Sequence, residues 1–563
     1  TVPWLVDRLK SGDIDFAVDD PDAPQNVPRI WSVWRANTLG SSAKGEQYFL
    51  KHLLGVDNTV GAEETPERFR PKSVTWRDEA PTGKVDLMLT LDFRMTSHTL
   101  HSDVILPAAT WYEKYDLSTT DMHPYVHSFN PAISTPWQSR TDWDIWETIA
   151  EKFSELAKVH LGTRTDVVAT ALAHDTPAEL ATPRGRVRDW RKGECEAVPG
   201  LTMPNFVEVT RDYTAIHDEY TSVGPLLEEL GMTTKGVTFE VADYVEELRR
   251  INGVTESGKG RGQPRLQTDL HACEFILRLS GTTNGRMATM GFEALERRTG
   301  VRLADLAAES EGKQVTFEDT QAAPVPVITS PEWSGSESGG RRYSPFTQNV
   351  ERLKPWHTLT GRQHFYLDHD WMLALGEGLP VFRPPLDMTA LFGEPAIGDL
   401  SPSTSDASPA TGVSVRYLTP HNKWAIHSMY MENFFMMNLS RGGQTIWMSV
   451  EDAEAADIAD NDWIEAVNRN GVVSARAIVS HRMPKGTAFM HHAQDRTVNV
   501  PISETSGQRG GIHNSLTRIM LKPSHLIGGY AQLSFAANYY GPTGNQRDEV
   551  TVIRKRTTPV VYE

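Results

Sequence analysis

Three stretches toward the C-terminal end combine histidine with glycine, asparagine, threonine and arginine. They are Thr-Pro-His-Asn-Lys-Trp-Ala-Ile-His (419–427), Met-His-His-Ala-Gln-Asp-Arg (490–496) and Arg-Gly-Gly-Ile-His-Asn-Ser-Leu-Thr-Arg (509–518). Such stretches hold many donors and few core formers, so packing alone explains them poorly. Imidazoles at 421, 427, 491, 492 and 513 offer N–H groups to oxygen and nitrogen acceptors, and the glycine pair at 510–511 lets backbone approach a ligand closely. The expected occupant is large, polar and anionic. A zinc or iron site built from His421, His427, His492 and His513 is the sharp alternative. Its support is thin, because the chain has no HExxH and no carboxylate cluster beside the histidines. Hydrogen bonding to an organic cofactor is preferred, and a satisfied core histidine remains the plain alternative for each residue taken singly.

A second candidate lies in the segment 35–45, Arg-Ala-Asn-Thr-Leu-Gly-Ser-Ser-Ala-Lys-Gly. It joins an expected strand to an expected helix, so backbone N–H groups with Ser41, Ser42 and Lys44 could hold a phosphate. An ordinary capped turn explains it equally well, since it has neither the Walker nor the GxGxxG spacing. Asp92 ends an expected strand, where open α/β sheets place ligands and where a carboxylate can accept from ribose or from the guanine edge. A solvated turn aspartate is its plain alternative. Asp142 reads as a helix N-cap. Arg362, within Thr358 to Tyr366, reads as a loop donor.

These residues need elements to hold them. From about 28 to 155, strands at Ile30–Trp34 (read as buried), Val85–Leu91 and Ser102–Pro107 alternate with helices at Glu46–Leu54 and Trp143–Leu156. This predicts an α/β layer with parallel strands. In the last helix the spacing puts Trp146, Ile149, Phe153 and Leu156 on one face. From about 160 to 350 the signals weaken to short helices, such as Tyr244–Arg250, and polar glycine-rich stretches. Residues 330–344 and 401–412 read as long loops. From about 350 onward short strands follow one another, with a hairpin predicted at Asn470-Gly471 between 463–467 and 472–479 and a short helix at Val450–Ala456. That succession favours a closed or semi-closed barrel. The expected fold class is α/β plus β. A partial parallel-sheet domain at 1–160 is followed by a mixed, mainly helical and irregular region at 161–350 and a C-terminal β-barrel at 351–563.

With 563 residues the chain is long enough for roughly three or four domains. A net charge of −17 and a pI near 5.6 argue against a surface that engages nucleic acid or anionic lipid. Any anion site must therefore be built locally. The two cysteines, Cys195 and Cys273, cannot organise the fold by disulfides, nor supply the four ligands of an iron–sulfur cluster. No run approaches the 18 or so apolar residues of a membrane span. The chain opens directly in sequence of globular character, which is read as the character of a fragment.

The motifs LDFRMTSHTLHSDVILPAATWYEK (91–114), TTDMHPYVH (119–127), HTLTGRQHFYLDHDWM (357–372), LTPHNKWAIHS (418–428) and GGIHNSLTR (510–518) together resemble those of the catalytic α subunits of membrane-bound respiratory nitrate reductases. These belong to the dimethyl-sulfoxide-reductase family of molybdenum proteins. The resemblance covers most of the chain and is weakest across 160–340. It implies that 1–160 is part of an α/β domain binding one molybdopterin guanine dinucleotide and that 351–563 is the C-terminal β-barrel, a dinucleotide-binding domain that closes over both copies, the cofactor being molybdenum bis(molybdopterin guanine dinucleotide). It places Asn37, Ser41, Ser42, Lys44, Asp92, Thr96, Lys114, Asp142 and Arg362 in cofactor-contacting segments. The same holds for Thr419, His421, Trp424, Ile426, His427, His492, His513 and Asn514.

The resemblance also implies reduction of nitrate to nitrite by oxygen-atom transfer. The metal ligand and an iron–sulfur cluster would lie in a preceding half of the subunit, this chain being the C-terminal portion. Implied partners are an iron–sulfur β subunit and a haem-bearing membrane γ subunit, with no nucleic acid. The implied location is the cytoplasmic face of the cell membrane, reached only through a partner. The readings kept beside it are the same cofactor with chlorate, selenate or formate, a non-catalytic nucleotide-cofactor-binding fragment, and a zinc or iron hydrolase.

Overall fold

The computed structural model describes residues 2–14, 23, 27–36, 38–41, 48–56, 81–120, 123–170, 190–200, 202–234, 237–328, 337–338, 341–342, 347–356, 361–362, 365–366, 379, 412–425, 433–439, 444–468, 470–492, 500–509, 511–517 and 550–562. The chain divides into two compact units. One is mainly Pro107–Trp371; the other joins Asp7–Leu106 to Met372–Gly528 and Tyr540–Glu563. The first sheet and the barrel, far apart in sequence, thus fall in the same unit.

The sheet is three-stranded, in the order Ile30–Trp34, Leu87–Asp92, Val104–Pro107. Its first two strands run parallel from Ile30 opposite Leu87 to Trp34 opposite Leu91, as the alternating pattern predicts. Ile30–Trp34 was expected to be buried on both faces, but only Val33 is, and Ile30 and Trp34 are exposed. In the region read as the helix Glu46–Leu54, the described turns span Tyr48–Leu53 and are π-helical.

In the other unit the helix runs Asp142–His160. Its N-cap is Thr141, whose hydroxyl accepts from the Asp144 N–H at 3.1 Å, so Asp142 sits in the first turn and does not cap. The buried stripe also differs from the one expected: it is Ile145, Ala150, Ser154 and Ala157, while Phe153 and Leu156 are 41% and 51% exposed. Close approach to the neighbouring turn explains the rotation. The His217 N–H donates to Ser154 Oγ at 2.9 Å, and Trp143 packs against Tyr220 at 4.8 Å between ring centroids, a fit helped by the small Ala150, Ser154 and Ala157 on that stripe.

The weakly patterned middle contains a ribbon the sequence did not announce, Thr163–Thr170 paired antiparallel with Asn205–Asp212. Polar contacts tie one half of it, Thr165 to Thr210 at 3.1 Å and Arg211 to Asp166 at 3.0 Å, and the apolar pairs Val168 with Val207 and Ala169 with Phe206 lie side by side, so the strict alternation of apolar residues that reveals a strand is missing. The helix expected at Tyr244–Arg250 runs Ala242–Asn252. Within the stretch read as a long loop at 330–344, Glu337–Ser338 pairs with Arg341–Arg342; of 401–412, only Gly412 is described. The helix Asp269–Leu279 buries Cys273 beside Leu277, Val126, Val315 and Phe317. Burial, reinforced by Asp116, Asp269 and Glu274, pushes that thiol up to about 12. It therefore stays protonated and slow to react at neutral pH. Iodoacetamide should label the half-buried Cys195 before Cys273, and equal labelling of both in the folded protein would contradict this packing.

The C-terminal region closes a six-stranded barrel in the order Gly412–Leu418, Thr487–Phe489, Thr445–Met448, Gly471–Val479, Trp463–Asn468, Val550–Lys555 and back to the first. Val415, Tyr417, Ile446, Met448, Ile464, Val473 and Ile553 fill it. Ala466, Ala475, Ala477 and Ala488 pack among them, fully buried. The short helix Val450–Ala455 lies against this core through Ala453, close to the expected bounds. The predicted hairpin is present, shifted by one residue. Asn468 pairs with Gly471, so Gly471 opens the second strand; the Asn468 carboxamide accepts from the Asn470 N–H at 2.9 Å and turns the chain.

Candidate functional site

Barrel topology decides which histidines meet. Gly412–Leu418 and Thr487–Phe489 pair in parallel, Leu418 opposite Phe489, so both strands leave the barrel at the same end. The ladder continues past their ends: the Met490 N–H donates to Leu418 O at 3.0 Å and the His492 N–H to Pro420 O at 2.9 Å. This register brings His492 Nε2 to 2.8 Å from His421 Nδ1, a hydrogen bond between the rings, while His491 Nδ1 donates to His421 O at 2.9 Å. The third cluster reaches the same place. Its one-turn helix His513–Leu516 is pinned where Ser515 Oγ accepts from the Ile512 N–H at 2.9 Å, where Gln444 Nε2 donates to Gly511 O at 3.0 Å, and where the Asn468 and Asn470 amides donate to Leu516 O. His513 then sits 5.8 Å from His492, ring centroid to centroid.

Side chains from all three stretches therefore converge, with His421 exposed and His513 and Asn514 buried. Two buried polar atoms of the same stretches have no hydrogen-bond partner: Thr419 Oγ1 and Asn514 Oδ1. An orphaned buried polar atom costs about 1–3 kcal/mol, so two in the converging stretches are unusual unless a ligand satisfies them. The mixture of imidazole, amide and hydroxyl can both donate to and accept from a polar ligand. Trp424 lies nearby in sequence, its backbone N–H donating to Asn422 Oδ1 at 2.8 Å and Lys423 Nζ standing 4.7 Å over its ring. Among the described residues no group of three or more His, Cys, Asp or Glu is arranged to hold a metal.

At the sheet, Asp92 ends its strand and is 5% exposed. Burial raises its carboxyl, while Arg94, the N–H groups of Phe93 and Arg94 at 2.8 and 3.2 Å, and Arg35 act to keep it ionised. Arg35 and Arg94 flank the Phe93 ring, each guanidinium about 5 Å from its centroid (5.2 and 5.1 Å). Sequence reading passed over both arginines. Their signal was position, since each directly follows or nearly follows the carboxyl end of a parallel strand. Thr96 serves its own helix, its N–H donating to Thr99 Oγ1 at 2.7 Å and its hydroxyl accepting from the Thr99 N–H.

Lys114, in the other unit, is buried between Asp142 at 3.1 Å and Asp116 at 2.7 Å. Its charge is neutralised within the fold, a structural use that the sequence left open. Arg362 is exposed after Gly361, whose φ is +75°. Asn37, Ser42, Lys44, Ile426 and His427 lie outside the described residues, as does the Ser41 side chain.

Three family models match the chain: "Molybdopterin oxidoreductase" over 22–152, "Nitrate reductase alpha chain, domain V" over 230–351, and "Molydopterin dinucleotide binding domain" over 415–533, the stretch that holds the converging turns. The chain belongs to the molybdopterin oxidoreductases. Within that class it is similar to nitrate reductase alpha subunits. It is 57% identical over 559 residues to the one from Mycobacterium tuberculosis, covering 99% of this chain and 45% of that subunit. It is 51% identical to the nitrate reductase alpha chain of Bacillus subtilis and 46% to the respiratory nitrate reductase 2 alpha chain of Escherichia coli, covering 98% of this chain and 44% of each. The chain thus spans less than half the length of these relatives.

Proposed function

We propose that this chain is the part of a molybdenum-dependent respiratory nitrate reductase catalytic subunit that grips molybdenum bis(molybdopterin guanine dinucleotide). The whole subunit would reduce nitrate to nitrite by oxygen-atom transfer. The observation that carries this is the meeting of His421, His492 and His513 beside the unsatisfied Thr419 and Asn514, inside a region that matches a dinucleotide-binding model. Residues 1–160 would bind one dinucleotide through Asn37, Ser41, Ser42, Lys44, Asp92 and Thr96, with Asp92 as the ionised acceptor for guanine N1–H and N2–H. Residues 351–563 would bind the second through Thr419, His421, Trp424, Ile426, His427, His492, His513 and Asn514, and 161–350 would support them. Lys114, Asp142 and Arg362 complete the proposed contact segments.

When bound, the molybdenum group supplies the two-electron oxygen-atom chemistry. The share of this chain is binding: imidazole and amide donors fix the pterin edges, the buried hydroxyl and carboxamide exclude water from them, and local cations offset the phosphates in an acidic protein. An iron–sulfur β subunit would deliver electrons. A haem-bearing γ subunit would hold the complex on the cytoplasmic face of the membrane; no helix among the described residues is long and apolar enough to cross it.

A second reading keeps the cofactor and changes the substrate to chlorate, selenate or formate. The perchlorate reductase alpha subunit of Dechloromonas aromatica favours it, at 28% identity over 96% of this chain, well below the 57% of the nitrate reductase. The test is the complete subunit with a viologen electron donor. Molybdenum, GMP released on denaturation, and faster turnover of nitrate than of chlorate, perchlorate, selenate or formate are expected. Zinc or iron without GMP would overturn the proposal.

A further inference from the structure

Two segments of the sheet carry the proposed nucleotide contacts, the turn containing Thr38–Ser41 and the loop from Asp92 to Thr96, separated by some fifty residues of sequence. One side chain joins them. His98, in the helix Ser97–His101, is 1% exposed, and its Nε2 accepts a hydrogen bond from the backbone N–H of Leu39 at 3.1 Å. Leu39 is itself 1% exposed.

His98 is held from several directions. Its ring meets Trp31 of the first strand edge-on at 6.3 Å. Its carbonyl accepts from Ser102 Oγ at 2.8 Å, and Ser102 Oγ is 2.5 Å from Thr90 Oγ1 of the second strand. The reciprocal Thr96–Thr99 bonds fix where the helix begins, three residues before which Phe93 and Arg94 donate to Asp92. A rigid run of chain thus connects the Asp92 carboxylate to an imidazole that reaches across to the Leu39 turn.

We propose that His98 is a positioning residue for the nucleotide end of the cofactor. By accepting the Leu39 N–H it sets the Thr38–Ser41 turn at a fixed place relative to Asp92, so that phosphate and guanine contacts are presented together. This rests on the cofactor assignment proposed above. A purely structural role for a buried histidine would require only its volume, whereas the positioning role requires an acceptor atom at Nε2. A neutral imidazole with its proton on Nδ1 provides that acceptor, and so does a glutamine carbonyl; leucine fills similar space with none.

The experiment uses the complete subunit, with wild type, His98→Leu and His98→Gln purified in parallel, and reads GMP released per chain, KM against kcat for nitrate per molybdenum, and the thermal midpoint. Wild type should release GMP. His98→Leu should retain roughly tenfold less after dialysis, the loss expected for one buried hydrogen bond. His98→Gln should stay within about twofold of wild type, because the acceptor is restored. Turnover per bound molybdenum should be unchanged in both variants. Full retention in His98→Leu, or equal loss in His98→Gln and His98→Leu, overturns the positioning role while leaving the cofactor assignment intact. A wild-type subunit that releases no GMP overturns the assignment itself and the positioning role with it.

Discussion

Alanine in place of Glu465 is expected to destabilise the barrel by about 3–5 kcal/mol, the cost of stripping one partner from a buried ion pair. Glu465 is fully buried and serves as a hub. Its carboxylate accepts from Ser474 Oγ at 2.9 Å, from the backbone N–H groups of Glu504 and Thr505 at 2.6 and 3.0 Å, from the Thr505 hydroxyl, and from Arg556 Nη1 at 2.9 Å. Arg554 stands 3.8 Å away, and both arginine side chains are buried. Removing the carboxylate takes the anion from Arg556 and from beside Arg554, and frees the turn at 503–507 that three of those bonds fold. Hydrogen exchange of Trp463–Asn468 and Val550–Lys555 checks it: protection should fall by about two to four orders of magnitude. A loss of under about 1 kcal/mol would mean that solvent reaches the site. Replacing Glu465, Arg554 and Arg556 together by apolar residues of similar volume should recover much of the loss, because no charge is then left alone.

Thr419→Val and Asn514→Leu should act in opposite directions on the empty and loaded protein. Without ligand, each removes a buried polar atom that has no partner, so the thermal midpoint should hold or rise, a gain of about 1 kcal/mol per site. With ligand, each forfeits a contact worth roughly tenfold in retention, and the double variant about a hundredfold if the sites act independently. Stability bought at the expense of binding is the expected signature of a site whose polar groups wait for a ligand. If both variants instead lower the midpoint of the cofactor-free subunit and leave molybdenum content unchanged, these atoms are structural and the site lies elsewhere.

Much of this was legible in residue order. The barrel followed from short strands with tight turns, the parallel first strands from their alternation with helices, and the three histidine stretches stood out because they suit a core so badly. What stayed hidden has definite causes. The buried face of Asp142–His160 follows small residues that permit close helix packing, while hydrophobicity alone points to Phe153 and Leu156. The Thr163–Thr170 ribbon is tied by threonine and ion pairs in one half and by adjacent apolar pairs in the other, and so lacks strict apolar alternation. Asp142 yielded the cap to Thr141 because either residue type caps well and only backbone geometry separates them. The meeting of His421 with His492 depends on a parallel pairing between strands 70 or so residues apart, which no local pattern encodes. Arg35 and Arg94 escaped notice because isolated arginines are common, and only the strand ends they share make them a pair.

The central claim is that turns from three distant stretches grip one cofactor at one end of the barrel. Differential hydrogen exchange between the cofactor-loaded and cofactor-free complete subunit tests it most directly. Loading should slow exchange together in 419–425, 490–492 and 511–517, leaving the ribbon at Thr163–Thr170 as it was. If loading leaves all three stretches unprotected, or protects only one of them, the account is contradicted.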